Sequence, residues 1–198
     1  MTRDGWAPAG VAAKAARPAS DENDSQSRYL EAVIPVGDSV VRVASIYLPN
    51  GNPAGSEKYP YKLMFMERLI AHARKLLEYE EPLVLAGDFN VIPEPRDAAR
   101  PEMWVNDALF LPETRMKYRE LMALGLTDAL RATTDAGDLY TFWDYQAGAW
   151  QRNNGIRIDH LLLSPQAADR LRSVVIDKEM RGRDKASDHT PVRVELAA

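Results

Sequence analysis

With 198 residues the chain is long enough for one sizeable core and short for two domains. It contains no cysteine, which excludes disulfides, thiolate zinc sites and cysteine nucleophiles. A net charge of -4 excludes a protein held on nucleic acid by bulk positive charge, so a phosphate-bearing partner must meet a local basic surface or a bound metal.

No run reaches the roughly 18 apolar residues that a membrane span needs. Asp4 and Lys14 interrupt the mildly apolar opening segment, which therefore does not read as a signal peptide and is compatible with the cytoplasm. Residues 1–27 are rich in Ala, Pro, Asp and Ser and read as a poorly ordered or degraded segment ahead of a single domain over 28–198. Tyr29–Val36 and Val40–Tyr47 are Val- and Ile-rich runs separated by Gly37-Asp38-Ser39, the signature of a hairpin. After the loop Leu48–Pro53, the segment Lys62–Tyr79 carries Leu63, Met66, Ile70, Ala73 and Leu77 at helical spacing. Pro82–Asp88 is a short apolar run suited to a buried strand, and Asn90 to about Phe110 reads as a long loop. Glu113–Leu124 reads as a helix stopped by Gly125. Tyr140–Tyr145 and Gly155–Leu163 read as strands around a polar loop, and Pro165–Arg172 as a short helix capped by Ser164. Val174–Asp177 and Pro191–Leu196 close the list, with the charged stretch Lys178–Lys185 between them as a solvated loop. Strands with interspersed helices predict an α/β domain of packed sheets and helices.

Three motifs place acidic or amide residues where a strand stops: Gly87-Asp88-Phe89-Asn90, Ile158-Asp159-His160 and Ser187-Asp188-His189. A carboxylate there is held by the sheet and open to solvent, a position suited to binding a hard cation and activating water. Each has a plainer reading. Asp88 and Asn90 form an Asx turn equally well, His160 fits packing, and Asp188-His189 alone is as readily structural as functional. His72 reads as an ordinary helix position.

In combination and order, YLPNG at Tyr47–Gly51, GDFNVIP, TFWDY followed by NNGIRIDHLLLS, and SDHTPV resemble the exonuclease III family of abasic-site endonucleases, within the endonuclease/exonuclease/phosphatase superfamily. The resemblance runs from about Ser27 to the C-terminus. It implies two packed mixed β-sheets flanked by helices, a four-layer α/β sandwich. It also implies Mg²⁺, with Mn²⁺ as the alternative, and a bacterial, cytoplasmic and monomeric enzyme. Such an enzyme cuts double-stranded DNA 5′ to abasic sites or trims 3′ ends, with no membrane or protein partner. By resemblance, Asp88 positions or deprotonates the attacking water and Asn90 hydrogen-bonds the scissile phosphate. His189, oriented by Asp159, contacts a phosphate oxygen, and Tyr47 sets its hydroxyl against the phosphate or leaving group. Asp188, with Asp88 and Asn90, lies at the metal. Trp150, Arg152, Asn153 and Arg157 supply an apolar wedge and phosphate donors for DNA, whereas Trp143 and Tyr145 are as well read as core.

The sequence also departs from the pattern. The family's opening strand with its Trp-Asn segment and the later strand ending in Gln-Glu do not occur, and only Gly5-Trp6 and Gly10-Val11-Ala12 echo a following segment. The resemblance places the missing strands in the first sheet. Three expectations follow: a metal site short of one carboxylate, exposed sheet edges, and marginal stability. Asp21, Glu22 and Asp24 offer no physical ground for replacing that carboxylate. Two alternatives accompany the nuclease reading: a catalytically impaired remnant, and a phosphoesterase acting on lipid or inositol phosphates.

Overall fold

The computed structural model describes residues 12–14 and 26–197. Most of the expectation for residues 1–27 therefore lies outside the described residues, as do Gly5-Trp6, Asp21, Glu22 and Asp24. Strand β1 (Ala12–Lys14) pairs antiparallel with β2 (Tyr29–Val36), which turns at Gly37 into β3 (Ser39–Tyr47) as the hairpin signal requires. Helix α1 (Lys58–Leu77) then carries the chain over to β4 (Leu83–Asp88), parallel to β3. This helix starts four residues earlier than its periodicity predicts, because Pro60 sits in the first turn, where its missing N–H leaves no bond unmade.

The long segment after Asn90 contains two short 3-10 turns, Pro95–Asp97 and Pro101–Met103, before helix α2 (Pro112–Met122). Two elements had no clear sequence signal: β5 (Thr127–Asp128) and α3 (Ala129–Thr133), the latter capped by the Asp128 carboxylate, which accepts from Leu130 N and Arg131 N. Of the run expected over Gly155–Leu163, only β6 (Asp159–Leu163) is a regular strand. Tyr140–Tyr145 makes isolated bridges instead of a ladder, from Phe142 to Ile156 and to His189. Ser164 caps α4 (Pro165–Ala168) as expected, and β7 (Leu171–Ile176) pairs antiparallel with β8 (Val192–Leu196).

The first sheet has the order β1-β2-β3-β4-β6-β5 and the second is the β7–β8 pair. On one face of the first sheet, Ala44, Ile46, Leu83 and Leu85 pack against Phe65, Met66 and Leu69 of α1 and Tyr118 and Leu121 of α2. On the other face, Val84, Leu163, Val41 and Val43 pack against Val174, Val194 and Leu196 of the second sheet. The alternation of strand side chains thus feeds two cores, helix on sheet and sheet on sheet. His72, expected as an ordinary helix position, reaches Glu31 Oε2 at 3.0 Å; Glu31 also pairs with Arg42 and accepts from the Tyr29 hydroxyl. Among the described residues the first sheet has six strands and the second two.

Arg157, read as a DNA contact, is the clearest correction. It is 2% exposed and donates from Nε and Nη2 to the Asp97 carboxylate, at 2.7 and 3.2 Å, and from Nη1 to Asp128 Oδ2 at 2.7 Å. A guanidinium buried this deeply is stable only when paired, and at 2% exposure it is out of reach of DNA. Its Nη1 also lies 3.0 Å from His160 Nδ1, and since Arg can only donate, that nitrogen must accept. His160 Nε2 therefore carries the proton and donates to Val91 O at 2.9 Å. Burial, with the charge of Arg157 added, pushes His160 down to about 4.

Two predictions concern the fold. Gly87 sits in β4 at φ +138°, and a Cβ there would lie 2.0 Å from Ile46 O on the neighbouring strand. Gly87→Ala should therefore lower the urea-unfolding free energy by more than about 3 kcal/mol, combining overpacking with backbone strain. The second concerns pH. An unfolded histidine takes up a proton near 6.5, whereas folded His160 resists until about 4. Stability should therefore fall as pH drops through that window, by up to about 3 kcal/mol. Urea midpoints between pH 7 and 4.5 check this, and His160→Gln, which keeps an acceptor and a donor, should flatten the dependence.

Candidate active site

Strand register assembles the site. Tyr47 on β3 is the Cα partner of Asp88 on β4, and Asp88 is the partner of Asp159 on β6. Directly opposed residues share a face of the sheet, so the hydroxyl and two carboxylates stand in one row at the end of three adjacent strands. The bridge between Phe142 and His189 brings the SDH motif to the end of this row. The resulting cleft, of about 390 Å³, is lined by Tyr47, Asn50, Asp88, Asn90, Asp188 and His189, with Trp104, Phe142 and Ile158 among its apolar walls.

His189 Nδ1 donates to Asp159 Oδ2 at 2.8 Å, its Nε2 faces Asp88 Oδ2 at 4.0 Å, and the Phe142 ring meets it edge to face at 5.0 Å. Burial pulls the imidazole down, but the hydrogen bond and charge of Asp159, reinforced by Asp88 and Asp188, hold it above its ordinary value on balance. Asp88 is raised as well, which for a carboxylate favours the neutral form. Burial and the neighbouring Asp159 push it up to about 6, against the Asn90 N–H and the charges of His189 and Lys62. Asp88 Oδ2 and His189 Nε2, 4.0 Å apart, face a common point where a water or a phosphoryl oxygen could touch both.

Asn90 plays a different part from the one the motif implies. It is 4% exposed with φ +48°; its backbone N–H donates to Asp88 Oδ1 at 2.8 Å, and its side-chain NH₂ donates to Asp88 Oδ2 at 3.0 Å and Leu48 O at 2.9 Å. Asn50 Nδ2 donates to its remaining oxygen at 2.9 Å. Both amide hydrogens are engaged, one of them on Asp88, so in this arrangement Asn90 orients Asp88. Asn50, quoted in the motif but not singled out, is exposed and keeps a second amide hydrogen directed away from Asn90. Asp107, also missed, anchors Asn52 Nδ2 at 3.0 Å and lines the same cleft.

Among the described residues no group of three or more His, Asp or Glu side chains could by itself hold a metal ion. The donor set nonetheless suits a hard cation: Asp88 and Asp188 offer carboxylate oxygens on one cleft, and Asp88 is short of positive charge. Mg²⁺ commonly takes only one or two carboxylates and completes its shell with water and substrate phosphate.

The expected DNA residues divide. Arg152 is exposed, with its guanidinium turned onto Ala147 O. Asn153 is half-buried; its Oδ1 accepts from Trp143 Nε1 and from Lys178 Nζ at 2.7 Å. Trp150 is half-buried and stands edge-on to Trp143 at 5.1 Å, with Arg181 and Lys178 over its ring at 5.8 and 5.6 Å. Trp143 is core, as one of its two readings holds, but Tyr145 is 64% exposed. Within the charged stretch, Lys178–Gly182 is a 3-10 turn; Lys178 is exposed as expected, but Arg181, 8% exposed, donates to Trp143 O at 3.1 Å.

A carboxylate–imidazole–carboxylate row on packed α/β sheets defines the class of phosphodiester hydrolases. Residues 11–189 match the model of the endonuclease/exonuclease/phosphatase family, and the chain belongs to that family, in its exonuclease III branch of abasic-site endonucleases. It is 31% identical over 185 residues to exodeoxyribonuclease III of Haemophilus influenzae, covering 89% of this chain and 69% of the relative. A 3′ phosphatase, NExo, from Neisseria, solved with a product DNA hairpin, superposes with a TM-score of 0.84 at 36% identity, over 89% of this chain and 67% of that one. An AP endonuclease from Archaeoglobus fulgidus gives 0.82 at 34% identity, over 89% and 68%. The chain thus spans about two thirds of the length of these relatives.

Replacing Asp159 by Asn keeps the hydrogen-bonding shape and removes the charge. In the metal-free protein the His189 pKa, read from its ring ¹H–¹³C signals, should drop, because the Asp159 charge that raises it is gone.

Proposed function

We propose that the chain is a metal-dependent DNA-repair nuclease that hydrolyses phosphodiester bonds 5′ to abasic sites, trims 3′ ends, or both. The observation that carries this reading is the in-register row Tyr47–Asp88–Asp159 closed by His189. The relatives named as exodeoxyribonuclease III and AP endonuclease, and the neighbour solved with a DNA hairpin, support DNA as the substrate.

In this reading Asp88, held at both oxygens by Asn90 and lifted to about 6, takes a proton from the attacking water. Protonated His189, locked by Asp159 through Nδ1, presents Nε2–H to a phosphoryl oxygen and offsets charge as it develops. Tyr47, 55% exposed at the cleft mouth, and the free amide hydrogen of Asn50 meet the phosphate or leaving group. Asp88 and Asp188 would hold Mg²⁺ or Mn²⁺, which when bound neutralises phosphoryl charge. Trp150, Tyr145 and Arg152 form the face toward the duplex. The role extends to a monomeric, cytoplasmic repair enzyme by resemblance to its bacterial relatives; no helix among the described residues is long and apolar enough to cross a membrane.

A second reading, a catalytically impaired member of the family, is favoured by one observation: the described residues hold no preassembled group of three metal-binding side chains. Cleavage of a labelled duplex bearing one abasic-site analogue separates the two. The nuclease reading expects incision 5′ to the site, shortening of the labelled strand from its 3′ end, or both with Mg²⁺, neither with EDTA, and a loss of at least about 100-fold in Asp88→Asn. A folded protein that neither incises the duplex nor trims its 3′ ends with Mg²⁺ or Mn²⁺ would establish the impaired reading.

A further inference from the structure

Beneath the site lies an ionisable group that the reaction as described does not use, a lysine that burial lowers to about 7 against the charges of Asp107 and Asp88. Lys62, on the core-facing side of α1, is fully buried, and its ammonium donates to Asn50 O at 3.0 Å and to Asn90 O at 2.5 Å. Those carbonyls belong to the two loops that end β3 and β4. The loops are also joined above the ammonium by the Asn50–Asn90 side-chain bond. Gly51, at φ +87°, leaves room for the lysine stem: a Cβ there would lie 2.7 Å from Lys62 Cδ. The nearest opposite charges are Asp88 and Asp107, both on the cleft. A buried ammonium costs several kcal/mol of desolvation, and an apolar side chain would fill this helix position without that cost. Packing alone therefore does not account for it.

We propose that Lys62 is a positioning residue for phosphodiester hydrolysis: by clamping the carbonyls of Asn50 and Asn90 it fixes the turn that aims both Asn90 donors at Asp88 and holds the Asn50 amide at the phosphate. The inference rests on the nuclease reading above. The chain of action is short. Asn90 is in the left-handed region, unfavourable for a side-chain-bearing residue, and its carbonyl is turned down onto the ammonium. Released from Lys62, that peptide can relax, and the two hydrogen bonds that orient Asp88 loosen with it. A misplaced base lowers the rate of the chemical step while leaving the distant DNA-facing surface intact.

The test uses the full chain and two variants, Lys62→Met and Lys62→Cys. Because the native sequence has no cysteine, Lys62→Cys can be alkylated with 2-bromoethylamine in mild denaturant and refolded, which rebuilds an ammonium at lysine length at one position alone. The expected results are a 10- to 100-fold fall in the single-turnover cleavage rate for Lys62→Met, duplex affinity by anisotropy within about threefold, and recovery of the rate after aminoethylation. A folded Lys62→Met with an unchanged rate, a loss confined to affinity, or no recovery after aminoethylation would overturn the proposal. So would a Lys62→Met that does not fold alongside a Lys62→Cys that folds only after aminoethylation, since Lys62 would then be a determinant of folding. Amide hydrogen exchange keeps the clamp separable from the nuclease reading. In Lys62→Met the Asn90 N–H should exchange at least tenfold faster even if the native chain cuts no DNA. Unchanged exchange in a folded variant defeats the clamp whatever the activity.

Discussion

The pairing of β4 between β3 and β6 is the constraint on which the rest depends. One residue of slippage in either ladder would turn Tyr47 or Asp159 to the opposite face of the sheet and leave Asp88 without a neighbour. Both ladders are buried, one face under α1 and α2 and the other under β7 and β8, so the apolar pattern sets the register and the polar row at the strand ends follows. The close approach of β3 to Gly87, one residue before Asp88, belongs to the same pairing. The cost falls on the site itself. Two carboxylates are brought together at a half-buried edge, and Asp88 responds by holding its proton to about 6. His189 offsets part of that charge, as a bound cation would.

Charge is handled differently below the site. Arg157 binds Asp97 and Asp128 and touches His160, which in turn holds Val91 of the GDFN loop. Arg157 holds Asp97 and Asp128 below the ordinary carboxylate range, outweighing a burial that alone would raise them. Such a closed set contributes little net stability relative to apolar side chains, but losing any one member strands a buried charge. It joins the loop after β4 to the strand that carries Asp159. Lys62 makes the equivalent tie on the helix side, so the Asp88–Asn90 turn is gripped from two directions.

The aromatic and basic residues near the second sheet form a third group. Trp143 is the fixed member, in the core, and Trp150 leans on it edge to face while Lys178 and Arg181 cover the rings. Cation–π contacts of this kind contribute about 0.5–1 kcal/mol each at exposed sites and more where desolvated. They account for basic residues that look solvated in sequence yet lie folded onto the surface. Tyr145, with its hydroxyl donating to Ala186 O, leaves a ring exposed beside them.

Much was legible locally. The hairpin at Gly37, the buried strand Leu83–Asp88, the cap of Ser164 and the strand-end position of Asp88 follow from short-range patterns of turn residues and apolar runs, whereas Asp159 opens β6 instead of closing a strand and Asp188 lies in the loop before β8. So, in retrospect, does Lys62, which lies four residues before Met66 on the apolar face of α1, where a lysine is out of place. Tertiary structure alone decided that Arg157 faces Asp97 and Asp128 rather than DNA, that Asn90 serves Asp88, and that Asn50 is the freer amide. A residue's neighbours in sequence state its periodicity and its turn chemistry. Which partners 29 and 60 positions away satisfy a guanidinium is set by strand order and register, which arise only when the sheets close.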